Sequence, residues 1–355
     1  MKKILVIFGG VSSEYDISLK SAKNICGILY KDYELVMVGI TKTGKFKYVR
    51  DVEDIIKQNW VNSKEEVLIS QSNNKKIYIL NNDQISESIS IDVALPVLHG
   101  RNGEDGTIAG LFAVSGIPYV GSNCLSGSVA MDKKIMKDLA SQNGINQAPY
   151  EFIDKLNYSE GIKNIEKALE SKKLIYPLYV KPANAGSSCG ITKVFDYEGL
   201  IKAIDFAFEY DYRVLVEKGI DGRELECAII TSYENGVRKE IVSNVGEIID
   251  SDFYDFDEKY NSDVNHTLLT PNLDKDIEEE IRNLTKKIFN LIDGYSLSRV
   301  DFFLEKDTNK IIFNEINTFP GFTNISMFSM LLNHIGIDTK TQLKMMIESA
   351  FYRYG

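Results

Sequence analysis

The sequence predicts an α/β chain in three parts, on three observations. Ile4 to Phe8 is a continuous apolar run stopped by Gly9-Gly10, Ser18 to Leu29 reads as a helix, and Glu34 to Ile40 as a second strand. That is βαβ punctuation, which predicts a parallel sheet with ligand contacts at the C-terminal ends of its strands. A middle stretch sets short strands around charged helices, and the last third holds two alternating strands joined by Asp307-Thr-Asn309. At 355 residues the chain is long enough for two or three cores.

The elements follow in order. Residues 43–90, rich in Lys, Asn and Ser, show one strand at Lys76 to Leu80 and read as an excursion away from any site. Val93 to Leu98 resumes the sheet and runs into His99-Gly-Arg-Asn-Gly-Glu-Asp-Gly106. Thr107 to Val114 is a helix, and Tyr119-Val-Gly121 leaves the first part. Ser126 to Asn143 reads as a single helix. Strands at Tyr150 to Ile153, Leu178 to Val180, Ile191 to Val194 and Val214 to Val216, with helices near 160–172 and 197–209, make a small antiparallel unit. From Glu217 onward the sequence offers a hairpin, a helix at 275–292 and two terminal helices. Asp250 to Pro271 is long, acidic, aromatic and strand-poor, which reads as a lid or as a misassigned stretch.

Composition narrows the function. A net charge of −10 with no basic stripe argues against nonspecific nucleic-acid binding. Cys26, Cys124, Cys189 and Cys227 are scattered without a CxxC pair, the usage of a reducing cytoplasm. No apolar run approaches the about 18 residues of a membrane span, and the opening run, five residues ended by glycines, is not a signal start.

Three stretches carry chemistry. A hairpin with a three-residue loop sets Lys306 opposite Lys310, Asp301 opposite Glu315 and Arg299 opposite Asn317. Facing carboxylates repel, so this set asks for a cation. Carboxylate and amide oxygens without Cys or His suit a hard one, Mg²⁺ above all. The alternative is a solvated edge with the register slipped by one. Lys181 precedes Asn184-Ala-Gly-Ser-Ser-Cys-Gly190, a loop whose N–H groups and hydroxyls can fold over phosphates, or be a plain turn. It is not a Walker A loop, and Gly9-Gly10 is not GxGxxG. Strand-end Glu217-Lys218-Gly-Ile220 can offer backbone edges to a purine and a carboxylate to its exocyclic amine, with Glu224 in reach of a ribose. The alternative is a pair of exposed strand-end charges.

With Lys133 on the helix before them, these stretches occur in an order that resembles the ATP-grasp ligases, and among them the D-alanine–D-alanine ligase family. The resemblance runs from Phe8-Gly-Gly-Val-Ser-Ser-Glu14 to about Ile337, apart from 43–90 and the 155–175 helix. His99-Gly-x-x-Gly-Glu-Asp-Gly106 and Asn314-Glu-x-Asn-Thr-x-Pro-Gly-Phe-Thr323 are its specific signatures. It implies a three-domain ATP-grasp fold: a Rossmann-like domain at 1–125, a central α+β domain at 126–217, and a catalytic α+β domain at 218–355 with a mobile ω-loop at 250–271. The implied activity joins two D-alanines through D-alanyl phosphate for peptidoglycan precursor synthesis, with ATP and two Mg²⁺ (or Mn²⁺).

Site roles follow from the same resemblance. Asp301, Glu315 and Asn317 hold the metal; Lys133, Lys181, Ser187 and Ser188 meet phosphates, and Lys259 descends with the lid onto the γ-phosphate. Glu217, Lys218, Ile220, Glu224 and Asn314 belong to the nucleotide site, while Arg299 and the Gly321 N–H face the developing oxyanion. Glu14 anchors the first substrate's ammonium with His99 beside it, and Ser187 and Tyr260 tie Glu14 to the lid. Ser326 and Met327 take the second substrate's carboxylate. The resemblance also implies a cytoplasmic homodimer without nucleic-acid or membrane partners.

Departures bear on the second substrate. Tyr15-Asp-Ile-Ser18 stands where His-Glu-Val-Ser is common, and Tyr15 resembles some D-alanine–D-serine ligases. Glu258-Lys-Tyr260 matches the dipeptide-ligase lid, and Met327 stands where D-serine and D-lactate forms carry arginine. The sequence favours D-alanine, with D-serine the alternative. A non-catalytic nucleotide-binding regulator is disfavoured because Glu14, Lys259, Arg299 and the metal set are all present. A Rossmann dehydrogenase is disfavoured because this sequence lacks the third glycine of GxGxxG and an acidic residue at the end of the second strand.

Overall fold

A computed structural model of the chain describes residues 1–186, 189–249, 267–323 and 326–354. Three sheets organise them. In the first, β1 (Lys3–Gly9) lies between β2 (Glu34–Ile40) and β7 (Val93–Val97), all parallel, with α1 (Tyr15–Leu29) packed on β1. Ile4, Val6 and Phe8 face one core while Leu5 and Ile7 face another. Covering both faces is what makes the opening run unbroken rather than alternating.

The 43–90 segment holds more than the one expected strand. β3 (Phe46–Val49), β4 (Glu65–Ile69), β5 (Lys76–Asn81) and β6 (Gln84–Ser90) extend the sheet antiparallel beyond β2, with the short helix α2 (Val52–Lys57) between β3 and β4. β6 is wet along nearly its whole length, so its sequence lacks the alternation that marks a half-buried strand. Trp60 packs edge-on to Phe8 at 5.6 Å; a Cβ on Gly39 would lie 2.5 Å from its ring, so only glycine lets the strand pass.

The single helix expected at 126–143 is two. After α3 (Thr107–Ser115), α4 (Cys124–Met131) and α5 (Lys133–Gln142) meet at Asp132, whose backbone leaves the helical region at φ −83°, ψ 99°. Its carboxylate accepts the Ile135 N–H at 2.9 Å, capping α5, and also takes Arg213 and the Asn184 amide at 3.2 Å. The break leaves Lys133 and Lys137 one turn apart on one face of α5.

The second sheet is the antiparallel unit the sequence predicts: β8 (Tyr150–Asp154), β9 (Leu178–Pro182), β10 (Thr192–Val194) and β11 (Arg213–Lys218), in order β10-β9-β11-β8. Leu178, Val180, Val214 and Val216 share a core with α6 (Tyr158–Glu170) and α7 (Tyr197–Ala207). The alternate residues Tyr179, Lys181 and Glu217 are left facing the opposite way.

In the third sheet, β12 (Gly222–Glu234) and β13 (Val237–Ile248) are the longest strands among the described residues, and the sequence reading does not contain them. The signal was Asn235-Gly236, both at positive φ (52° and 77°), a tight hairpin turn. β14 (Thr267–Leu268), β15 (Leu297–Glu305) and β16 (Ile311–Asn317) complete the order β14-β13-β12-β15-β16. α8 (Lys275–Leu291) covers one face; α9 (Met327–His334) and α10 (Thr339–Tyr354) join the other face to the first sheet through Phe328, Leu331 and Met346.

The β15–β16 register is as expected at one end only. Asp301 faces Glu315 and Arg299 faces Asn317, but Phe302 then faces Phe313 and Leu304 faces Ile311, leaving Asn314 as the extra residue of a β-bulge. Lys306 therefore does not face Lys310; the turn runs from Lys306 to Lys310, closed by the Glu305 N–H to the Lys310 carbonyl at 2.9 Å. The extra residue shifts the strand's phase, so Phe313 and Ile316, three apart, both enter the core beside Phe302.

Phe8 links α1, the first sheet and Trp60, so Phe8→Ala should cost about 3–5 kcal/mol of that unit's stability. Urea unfolding followed by tryptophan fluorescence measures it, since Trp60 is the chain's one tryptophan; a loss below about 1 kcal/mol contradicts this account.

Candidate functional site

A cleft of about 670 Å³ lies between the second and third sheets, closed at one end by the loops that follow β1 and β7. Each wall carries charges of its own.

On the second sheet, the Glu217 carboxylate receives Lys181 Nζ at 2.7 Å on one oxygen and Lys137 Nζ at 2.9 Å on the other. Glu217 is 3 % exposed, which rules out the solvated strand-end reading. Burial favours its neutral form, but the two ammonium groups outweigh that and hold the carboxyl down at about 2. Burial pushes Lys137 below the usual lysine value, with Glu217 opposing. For Lys181 burial acts the same way, but Glu217 prevails and the value rises. Lys133, one turn before Lys137, donates to the Ala185 carbonyl at 2.6 Å and lies 3.9 Å from Glu315. Lys218 gives its N–H to the Pro149 carbonyl, and Ile220 and Glu224 line the same cleft.

On the third sheet, Arg299 grips Asp301 through two parallel hydrogen bonds of 2.7 Å, and its Nε lies 3.1 Å from Glu226 on the neighbouring strand. Burial opposes the guanidinium charge, yet Asp301 and Glu226 raise its value well above the ordinary one. Asn317 donates to the same Asp301 oxygen at 3.0 Å. Arg299 thus already supplies one of the cations that the facing carboxylates ask for. Asn314 and Glu315, consecutive at the bulge, both line the cleft.

At the closed end, Glu14 is the N-cap position just before α1, and a Cβ on Gly100, itself at φ +67°, would lie 2.8 Å from its Oε2. His99 Nδ1 donates to the Phe319 carbonyl at 3.3 Å, which leaves Nε2 as the acceptor; it is buried and has no hydrogen-bond partner among the described residues. Burial lowers the His99 value, with Glu14 opposing. Glu104, passed over within its motif, accepts the Gly100 N–H at 3.0 Å. Burial and then the charge of Glu14 push its carboxyl up to about 8.

Other expected residues fall as follows. Gly321 lines the cleft, and a Cβ there would sit 3.0 Å from the Ser326 hydroxyl, which itself accepts the Thr323 N–H at 3.0 Å. Met327 has its side chain in the core, its sulfur 2.8 Å from where a Cβ on Gly246 would be, so only its backbone at the start of α9 is left to meet a carboxylate. Tyr15 is buried outside the cleft, 3.4 Å from the Gln58 side chain, and burial raises its hydroxyl to about 12. Ser187, Ser188, Lys259 and Tyr260, with the Glu14–Ser187–Tyr260 link, lie outside the described residues. Lys137, Glu104 and Glu226 are cleft residues that reading by sequence missed. The i, i+4 pairing of Lys137 with Lys133 was the available signal.

Two antiparallel sheets facing across a cleft, lysines on one wall and a carboxylate–amide hairpin on the other, with a parallel sheet closing the end, are the architecture of an ATP-grasp ligase. Residues 3–122 match the family model for the D-ala D-ala ligase N-terminus and residues 139–348 that for its C-terminus. The D-alanine–D-alanine ligase of Caldicellulosiruptor bescii is 43% identical over 94% of this chain and 91% of its own length. That of Ruminiclostridium cellulolyticum is 40% identical over 99% and 96%. The crystal structure of the VanG D-Ala:D-Ser ligase from Enterococcus faecalis superposes with a TM-score of 0.85 at 36% identity, over 98% of this chain and 99% of that one. A Bacillus anthracis D-alanine–D-alanine ligase complexed with ATP gives a TM-score of 0.71 at 27% identity, over 99% and 98%. The chain belongs to the D-alanine–D-alanine ligase family, and it is a ligase.

The Glu104 carboxyl holds its proton in the folded state between its ordinary value of 4.5 and about 8. The folded state then binds more protons than the unfolded one, so stability falls as pH rises through that window. Glu104→Gln should flatten this slope in denaturant titrations between about pH 5 and pH 8; parallel wild-type and variant curves would contradict the assignment.

Proposed function

We propose that the protein joins two D-alanines to D-alanyl-D-alanine with cleavage of ATP to ADP and phosphate, through D-alanyl phosphate, in peptidoglycan precursor synthesis. The observation that carries this reading is the convergence of three differently charged regions on one cleft. A lysine wall suits phosphates, a carboxylate–amide hairpin suits a hard cation, and an acidic end suits an ammonium.

The donors fit the metal. Asp301, Glu315 and Asn317 carry oxygens on adjoining strands in facing register, with no soft ligand among them. Mg²⁺ bound there supplies positive charge against the phosphates. The chain's own residues do the rest. Lys133 and Lys181 compensate phosphate charge, and Arg299, held in a fixed plane by Asp301, offers its remaining N–H groups to the oxygen that gains charge when an amine attacks the acyl carbon. Glu14 receives the first substrate's ammonium, and His99 Nε2 is a buried acceptor beside it. The α9 N-terminus, with Ser326 before it, suits the second substrate's carboxylate. We take 1–125, 126–217 and 218–355 as the domains. The lid expected at 250–271, with Lys259 and Tyr260, is part of the same reading, and its residues 250–266 lie outside the described ones. A cytoplasmic homodimer belongs to the same reading; no helix among the described residues is long and apolar enough to cross a membrane.

D-alanine is the preferred second substrate. The named relatives support it. The likeness to a D-Ala:D-Ser ligase keeps D-serine as the second reading. Phosphate release with ATP, Mg²⁺ and D-alanine alone should match or exceed that with D-serine or D-lactate added. Absence of D-alanine-dependent release overturns the reading, and release that needs D-serine favours the alternative. Asp301→Asn should weaken both the Mg²⁺ dependence and the hold on Arg299, lowering kcat about 100-fold or more. A variant with unchanged kinetics removes Asp301 from the site.

A further inference from the structure

Lys137 is buried, charged and unused by the mechanism above. It is 2 % exposed, on the helix that also carries Lys133. The two lysines are four residues apart, about 6 Å along the axis. Like charges at that spacing repel, and here each is drawn to a different carboxylate. Lys133 points to the phosphate end, beside Glu315 and the Ala185 carbonyl, whereas Lys137 points to Glu217. One helix face thus serves two ends of the cleft.

We propose that Lys137 is a positioning residue that sets base selectivity: it holds Glu217 as an ionised, fixed acceptor for a purine 6-amino group. This rests on the reading that a purine nucleoside triphosphate lies in the cleft. One Glu217 oxygen accepts the Lys181 hydrogen bond at 2.7 Å and the other is ion-paired with Lys137 at 2.9 Å, so lone pairs remain on the carboxylate for a ligand. An ionised carboxylate only accepts. It welcomes a 6-amino donor and repels a 6-oxo oxygen, whereas a protonated carboxyl could donate to that oxygen. Burial pulls Glu217 toward the protonated form, and removing Lys137 strips away one of the two charges that prevent it. Lys181 alone leaves one carboxylate oxygen without its ammonium and able to turn. Discrimination between adenine and hypoxanthine therefore depends on a side chain that touches neither.

The test compares kcat/KM for ATP and for inosine 5′-triphosphate in D-alanine-dependent phosphate release. Both are measured on one preparation, so a fraction of misfolded enzyme cancels from their ratio. Lys137→Met should reduce the ATP preference about tenfold or more, chiefly through the KM for ATP. Lys137→Arg, which keeps the charge, should restore it to within about threefold. Lys137→Gln carries the same readout as Lys137→Met should the latter not accumulate. A preference unchanged in Lys137→Met, or equal losses with both nucleotides, overturns the proposal and leaves Lys137 a structural ion pair. Glu217→Gln separates the two levels. If it leaves the preference intact, Glu217 does not read the base; if neither nucleotide supports turnover in the wild type, the proposed function itself fails.

Discussion

The two parallel hydrogen bonds between Arg299 and Asp301 are the constraint on which the site depends. Arg299, Asp301, Glu226 and Asn317 crowd onto three neighbouring strands of the third sheet, three of them ionisable, with Asp301 and Glu226 buried and Arg299 and Asn317 half-buried. Taking an ion out of water costs several kcal/mol unless a partner compensates it. Here the guanidinium lies between two carboxylates. Its orientation is fixed by Asp301 before any substrate arrives. A preset donor need not reorganise when charge develops in front of it, and that is where such groups gain their catalytic strength. The opposite wall obeys the same rule with signs reversed, as one carboxylate, Glu217, is held by two lysines.

Local irregularities deliver these groups. The bulge at Asn314 lets β16 bury Phe313 and Ile316 while turning Asn314 and Glu315 toward the cleft. The break at Asp132 ends α4, caps α5 and joins Arg213 and Asn184, so the lysine helix and the start of the Gly/Ser loop are anchored to one carboxylate. Both departures from regular structure sit beside the chemistry, where distortion re-aims side chains.

These irregularities also explain what could be read from the sequence and what could not. The β1–α1–β2 unit was legible because both faces of β1 are apolar, and the central sheet because its strands alternate. The facing of Asp301 with Glu315 was legible from alternation alone, but the bulge was not, because Phe313 and Ile316 follow the core and not a fixed period. β12 and β13 were missed although Asn235-Gly236 marks their turn; β12 is buried on both faces through Leu225 to Thr231 and shows no alternation there. The helix break was hidden because nothing local distinguishes Asp132 as a cap from Asp132 on a helix surface. Its partners Asn184 and Arg213 lie 52 and 81 residues away. Lys137 and Glu104 escaped for the same reason, since each has its role only through contacts that the fold creates.

The central claim is that the charges of this cleft let a carboxylate attack the γ-phosphate of ATP. Isotope transfer tests it most directly. With D-alanine labelled with ¹⁸O in both carboxylate oxygens, the claim predicts that inorganic phosphate gains one ¹⁸O per dipeptide formed while the new peptide carbonyl keeps the other. Phosphate free of ¹⁸O alongside fully formed dipeptide would contradict it.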